Sequence, residues 1–214
     1  MLYCTDTDLL ALEPWIFRDA AFASQLLASG TGALAGTLFT RSAGSFADQQ
    51  VAAGAVLCLS GDLTGCFPIV AVNSAAQITV SILHETLFDV GGQPVPVGNA
   101  SNLPFAVRTF GPQRRIVSEL LRTAAGVGVG TDLPDAQLLP TPALRHVTAL
   151  GAFQLIYSAL AAAATEPAEL QRRADYYEAL YRKALGRLLV EIDADGDGQA
   201  DLVKLLGVVE LRRG

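Results

Sequence analysis

The spacing of apolar and polar residues changes period along this chain, and each change predicts a different element. Thr5-Asp6-Thr7-Asp8 precedes Leu9-Leu10. Its short polar side chains can cap free backbone N–H groups, and its acids suit the positive end of a helix dipole, so a helix is expected to start here. Pro14 is placed to restart the helix at a first turn. Trp15, Phe17, Phe22, Leu26 and Leu27 then give it a bulky apolar side, and Ser29-Gly30-Thr31-Gly32 is expected to end it. From Thr37 to Leu83 the period becomes two. Gly54 to Gly61 encloses a short apolar run, Phe67 to Val72 follows a Gly/Asp/Thr turn, and Gln77 to Ile82 alternates cleanly. That pattern predicts a compact antiparallel insert, a small barrel of about four or five strands.

Residues 89–104 are crowded with Gly and Pro and read as a long loop or arm, with Phe105 to Phe110 as one more strand. Pro112 opens a helix with Ile116, Leu120 and Ala124 at four-residue spacing, stopped at Gly126. A second helix is expected from Pro142 to Ala164, and a third from Pro167 to Ile192. The third carries the clearest stripe: Leu170, Ala174, Tyr177, Tyr181, Ala184 and Leu188. Glu169/Arg173 and Glu178/Arg182 place the acid four residues ahead of the base, the favourable order on an exposed face. An acidic turn follows, and Leu202 to Leu211 reads as a final strand. No β-helix-β alternation suggests a parallel sheet. The expected class is therefore α+β: a helical bundle over 1–36 and 105–214 with a C-terminal strand, interrupted by a barrel-like β insert plus loop over 37–104.

Composition sharpens the picture in one respect. Half of the 214 residues are hydrophobic (51%) and only 17% are charged, where about a quarter is usual. Scarce charge leaves either an Ala/Gly/Ser/Thr-rich surface or one covered by neighbouring subunits, and the second is the preferred reading. The net charge is −6 with no basic stripe, which argues against direct nucleic-acid binding. Met1 to Arg18 holds Asp6, Asp8 and Glu13 and does not read as a signal peptide. Val147 to Ala164 is an uncharged run of 18 residues, Ala-rich and shorter than the roughly 20 strongly apolar residues of a usual span, so it reads as helix buried in protein. The three cysteines, Cys4, Cys58 and Cys66, make no disulfide framework and read as buried or free thiols in a reducing compartment, although Cys58 and Cys66 could face each other across a hairpin.

The sharpest chemical motif is Asp193-Ala194-Asp195-Gly196-Asp197-Gly198-Gln199-Ala200-Asp201. Asp193, Asp195, Asp197 and Asp201, with Gln199 supplying a backbone carbonyl, match the oxygen ligands of a calcium loop, so Ca2+ is the candidate ion. Lys204 stands where that loop needs a bidentate Glu, and a strand rather than an exit helix follows. The competing reading is a tight acidic turn in which Asp and Gly supply local hydrogen bonds and positive φ. In either case the loop would brace the fold, not perform chemistry. His84 and His146 are far apart in sequence, and no G-x-S-x-G elbow, P-loop, dinucleotide fingerprint or zinc spacing occurs. A non-enzymatic protein is expected.

Several of these features together resemble the head–tail connector proteins of tailed bacteriophages, also called adaptor or head-completion proteins. The features are the Tyr3-Cys4-Thr5-Asp6…Leu9-Leu10 opening, the insert with Gly54…Gly61, Phe67, Val72 and Ile78-Thr79-Val80, and Arg108-Thr109-Phe110 leading into an amphipathic helix. The closing Tyr-rich helix, Asp-Gly-Asp-Gly turn and basic-ended strand belong with them. The resemblance implies a structural virion protein of the phage neck, assembled in the host cytoplasm. It would form a ring of about twelve copies between the portal protein and a downstream neck or tail component. DNA would pass through the ring without specific binding, and no membrane would be involved. The expected docking element is the terminal strand, with Val203, Leu205, Val209 and Leu211 on one side and Leu206 and Val208 on the other. The alternative is a calcium-braced protein-binding module centred on the Asp loop.

Overall fold

The computed structural model describes residues 2–88, 92–128 and 130–206. The chain forms two compact units, one spanning Thr5–Phe110 and the other comprising Met1–Cys4 with Gly111–Gly214. Helices and antiparallel sheets are both present, as an α+β chain requires.

The first unit is built on a closed barrel. Helices α1 (Asp6–Leu12) and α2 (Ile16–Asp19) precede strands β1 (Leu26–Gly36), β2 (Leu38–Arg41), β3 (Val56–Leu59), β4 (Gly65–Val72), β5 (Gln77–Val80) and β6 (Gly98–Arg108). Their order around the barrel is β1-β2-β5-β4-β3-β6, and β6 closes it by pairing antiparallel with both β1 and β3. Closure leaves no open sheet edge. Phe39, Phe46 and Phe105 fill the interior, with ring centroids 5.1 to 6.4 Å apart, among Leu34, Leu57, Ile69, Ile78, Leu103 and Val107. Buried Arg41 lies 4.8 Å above the Phe46 ring and bonds the Ala43 carbonyl (2.6 Å) and Gln49 (2.6 Å), which holds the segment between β2 and β3 against the barrel.

The barrel begins earlier and ends later than the 37–104 insert expected from the sequence. Trp15 to Leu27 is not one long helix: α2 stops at Asp19, and β1 starts at Leu26 and runs through Gly30 and Gly32. Those glycines were expected to end a helix. In β1 their bareness has another use, because a Cβ on Gly32 would lie 2.4 Å from Phe39 Cζ and 2.6 Å from the Thr40 carbonyl oxygen. The second half of the expected loop, from Gly98, is likewise strand, paired with β1 from Gly36↔Gly98 to Leu26↔Arg108. A Thr5/Asp8 capping box starts α1. The fully buried Asp6 carboxylate accepts from Thr109 Oγ1 (2.7 Å) and Phe110 N (3.0 Å), fastening the start of α1 to the end of β6.

The second unit holds α3 (Gly111–Ala125), α4 (Pro142–Ala163) and α5 (Ala168–Leu185), with a three-stranded sheet of order β7-β8-β9: Gln137–Leu138, Leu189–Asp193 and Leu202–Leu205. Helix α4 packs against both α3 and α5. By length and mean hydropathy (1.3) it would suit a membrane span. Leu144, Val147, Leu150, Phe153, Ile156 and Tyr157 are nonetheless buried within the unit. Gly151 lets its neighbours approach closely, since a Cβ there would lie 2.8 Å from Val117 Cγ1 and 3.0 Å from Tyr181 Cε2. Tyr157 and Tyr177 stack at 5.6 Å, and Phe153 and Tyr177 at 4.8 Å, joining α4 to α5. The third helix ends at Leu185, seven residues before the expected Ile192, because the chain from Leu189 pairs as β8.

Candidate assembly surface and acidic loop

Helix α3 shows two apolar faces. Its buried face is Val117, Leu121 and Ala125, with Arg114 and Ser118 alongside. Arg114 Nη1 donates to the Cys4 carbonyl (2.7 Å), and the Ser118 hydroxyl donates to the Arg114 carbonyl (2.8 Å). The stripe that the sequence singled out by its four-residue spacing, Ile116, Leu120 and Ala124, is the outward one. Ile116 is 53% exposed and Leu120 57%. Both stripes have four-residue spacing, and the neighbouring positions decide between them. The buried one carries the polar groups that bond back to the Cys4 carbonyl and to the helix itself, a distinction that periodicity does not make.

A second exposed apolar surface lies on the β8–β9 hairpin. The register Leu189↔Leu205 and Glu191↔Val203 puts these four residues on one face, opposite Val190 and Ile192, which are buried. Leu189 is 56% exposed and Val203 64%. Among the described residues β9 is the edge of its sheet, an arrangement that leaves backbone donors and acceptors free to pair with another chain. Of the residues expected to dock partners, Val203 is thus outward, while Leu205 and Leu206 are half-buried and Leu206 packs on the core of the unit. Val208, Val209 and Leu211 lie outside the described residues.

The acidic loop joins β8 to β9. Asp193 is buried, and its two carboxylate oxygens accept from Gly196 N (2.7 Å) and Gly198 N (2.9 Å). Asp195 accepts from Asp197 N (3.2 Å), and Asp197 from Gln199 N (2.8 Å). These are side-chain-to-backbone bonds of the acidic-turn kind. They also gather carboxylate oxygens: one each from Asp193, Asp195 and Asp197 lie within 4.8 Å of one another, close enough to hold a cation together. Asp201 turns its carboxylate to Ala194 N (2.7 Å), closing the base of the loop, and Gln199 is exposed.

Lys204 is not a cation inside this loop. Its ammonium donates to the Ala125 carbonyl (3.0 Å) at the end of α3. That helix finishes in a Schellman turn, with Gly126 at φ +79°, Gly126 N bonding the Thr123 carbonyl (3.0 Å) and Val127 N the Arg122 carbonyl (2.9 Å). The Ala125 carbonyl points at the negative end of the helix dipole, where a Lys charge is stabilising. The spacing that placed Lys204 at a ligand position is therefore satisfied elsewhere in the fold.

The remaining candidates are dispersed. His146 is exposed on α4, and His84 follows β5 in the barrel unit. Compared with models of protein families, with curated proteins and with solved structures, the chain matches none.

Proposed function

We propose that this chain is a structural virion protein of the neck of a tailed bacteriophage, a ring-forming adaptor between the portal and the next neck or tail component. The observation that carries this reading is the pair of apolar faces on α3: one builds the core, and Ile116 and Leu120 are left for a second copy of the chain. Exposed large apolar groups at regular spacing on a rigid helix are what a subunit interface presents before assembly. The outward face of the β8–β9 hairpin, with Leu189 and Val203, supports a contact of the same kind. A head-to-tail contact between two different surfaces closes into a ring when its rotation divides a full turn. Low charge and a net −6 suit a conduit that DNA traverses without sticking.

Electron microscopy of the purified chain tests the reading. Rings with an axial channel wide enough for duplex DNA are expected, and open chains or discrete pairs without a channel would contradict it. Deleting Leu202 to Gly214 is a poor test, since β9 pairs with β8, whose Val190 and Ile192 are buried, and Leu206 packs on the core. Val203→Ser is the sharper change, expected to weaken assembly while leaving the hairpin folded.

A second reading, a calcium-braced protein-binding module, is favoured by the convergent oxygens of Asp193, Asp195 and Asp197. Calorimetric titration with Ca2+ separates the two. Saturable binding lost in Asp195→Asn would support the module, and no heat would remove it.

A further inference from the structure

The outside of the barrel carries a paired-thiol site that neither the assembly surface nor the acidic loop uses. Cys58 on β3 and Cys66 on β4 are register partners, and their Sγ atoms lie 2.8 Å apart. The backbone explains the closeness. Ser81 N bonds the Pro68 carbonyl, so Pro68 directs its carbonyl, its one backbone polar group, toward the chain just after β5, and Ile69 N bonds the Ala55 carbonyl on the other side. Cys66, two residues before Pro68, shares its orientation. Cys58 and Cys66 are therefore a non-hydrogen-bonded pair, the kind in which antiparallel strands bring Cα atoms to about 4.5 Å. That separation falls inside the range a disulfide spans.

Both thiols are partly exposed, unlike the buried Cys4. They line a cavity of about 420 Å³ together with Arg18, Ser60, Thr64, Phe105 and Arg108. The guanidinium of Arg108 is held beneath α2 by the Phe17 carbonyl (3.5 Å), and Cys58 Sγ lies 3.7 Å from the same oxygen. The volume suits a small molecule. The two arginines suit one that carries carboxylates.

We propose that Cys58 and Cys66 form a thiol–disulfide exchange site for a small disulfide bearing carboxylates, of the oxidised-glutathione kind. Cys66 attacks one sulfur of the incoming disulfide, forming a mixed disulfide and releasing one thiolate. Cys58 then attacks Cys66 Sγ, breaking the mixed bond and releasing the second. Two protein thiols and one disulfide become one Cys58–Cys66 bond and two small thiols, which carry away the two protons. The division of labour follows from the surroundings. A hydrogen bond from Cys58, with Arg108 and Arg18 nearby, pulls the Cys66 thiol below its ordinary range against the opposing effects of burial and Asp19. The Cys58 thiol is pushed up by that same hydrogen bond and by burial, against the nearby Arg108. Its Sγ donates toward the Phe17 carbonyl (3.7 Å), an acceptor that keeps the proton on Cys58. The thiolate is the nucleophile, so Cys66 is the group that attacks first.

The test uses the full chain, incubated with oxidised glutathione, alkylated without reduction and mapped by mass spectrometry. A Cys58–Cys66 linked peptide is expected in the wild type, with Cys4 left as a thiol. Cys58→Ser should trap glutathione on Cys66, and Cys66→Ser should slow modification at Cys58 by about tenfold or more. Arg18→Gln, at an exposed position, should slow the reaction with oxidised glutathione several-fold more than that with uncharged hydroxyethyl disulfide, which loses only the effect of Arg18 on the Cys66 thiol. No linked peptide in the wild type would overturn the exchange site. Equal modification of the two single variants would overturn the order of attack, and equal slowing of both disulfides by Arg18→Gln would overturn the carboxylate preference.

Discussion

The barrel unit and the helical unit handle their polar edges in opposite ways. In the barrel every strand has a partner on each side, because β6 pairs with both β1 and β3. In the helical unit the sheet is open, with β9 at its edge among the described residues and Leu189 and Val203 on the uncovered face. Helix α3 of the same unit buries one apolar stripe and exposes another. A closed barrel satisfies its own hydrogen bonds and has little use for a partner strand. An open sheet beside an apolar helix face has reason to bind one. Under the proposed function self-assembly falls to the helical unit, and the contrast can be broken or sharpened unit by unit.

The largest effect expected is on the barrel core. Phe39→Ala removes the ring that packs against Phe46 and Phe105 and should cost about 3–5 kcal/mol, read by denaturant unfolding, with hydrogen exchange rising in β1, β2 and β6. Assembly through the helical unit should survive wherever the chain remains folded. Next comes Asp6→Ala, which strips Thr109 Oγ1 and Phe110 N of a buried acceptor and should cost about 2–3 kcal/mol in the same assay. Gly151→Ala pits a gain in helix propensity of about 1 kcal/mol against overpacking of about 1–3 kcal/mol. With Val117 Cγ1 only 2.8 Å from the new Cβ, a net loss is expected, visible as a lower Tm.

A smaller effect distinguishes the helical unit by pH. Burial pushes the Tyr3 phenol up to about 12 from an ordinary 10.0, despite the opposing charge of Arg122. Its folded pKa is raised, so its contribution is fully present below pH 10 and is lost as pH climbs from 10 toward 12. Absorbance titration should show Tyr3 ionising late, and Tyr3→Phe should flatten the fall in stability across that window. The smallest effect on stability belongs to the double change Ile116→Ser and Leu120→Ser, at exposed positions and expected to stay within about 0.5 kcal/mol of the parent. The same change should have the largest effect on native mass.

The sequence was most informative where one cause acted alone. Pro112, Pro142 and Pro167 mark helix starts, and Gly126 a helix end, because Pro at a first turn and Gly at a left-handed cap are local requirements. Of the stripe expected on α5, Ala174 and Tyr177 are buried and Leu170, Tyr181 and Ala184 half-buried, as the spacing implies, while Leu188 lies beyond the helix end. Errors came where distant residues decided. Gly30 and Gly32 looked like a terminator, yet they are strand residues because the Phe39 and Phe105 rings lie over them. Leu26 and Leu27 fitted a helix until β6 supplied a strand to pair with. The α3 stripes could not be ranked without knowing where Cys4 lies. In the acidic loop the spacing of Asp193, Asp195 and Asp197 was legible, whereas the diversion of Lys204 to Ala125 depends on the end of α3.

The most direct test of the assignment is native mass by light scattering across a range of concentrations, for the parent chain and for the Ile116→Ser, Leu120→Ser variant. The account predicts a discrete closed oligomer for the parent and a folded monomer for the variant. A parent that stays monomeric at every concentration, or a variant that assembles as well as the parent, would contradict it.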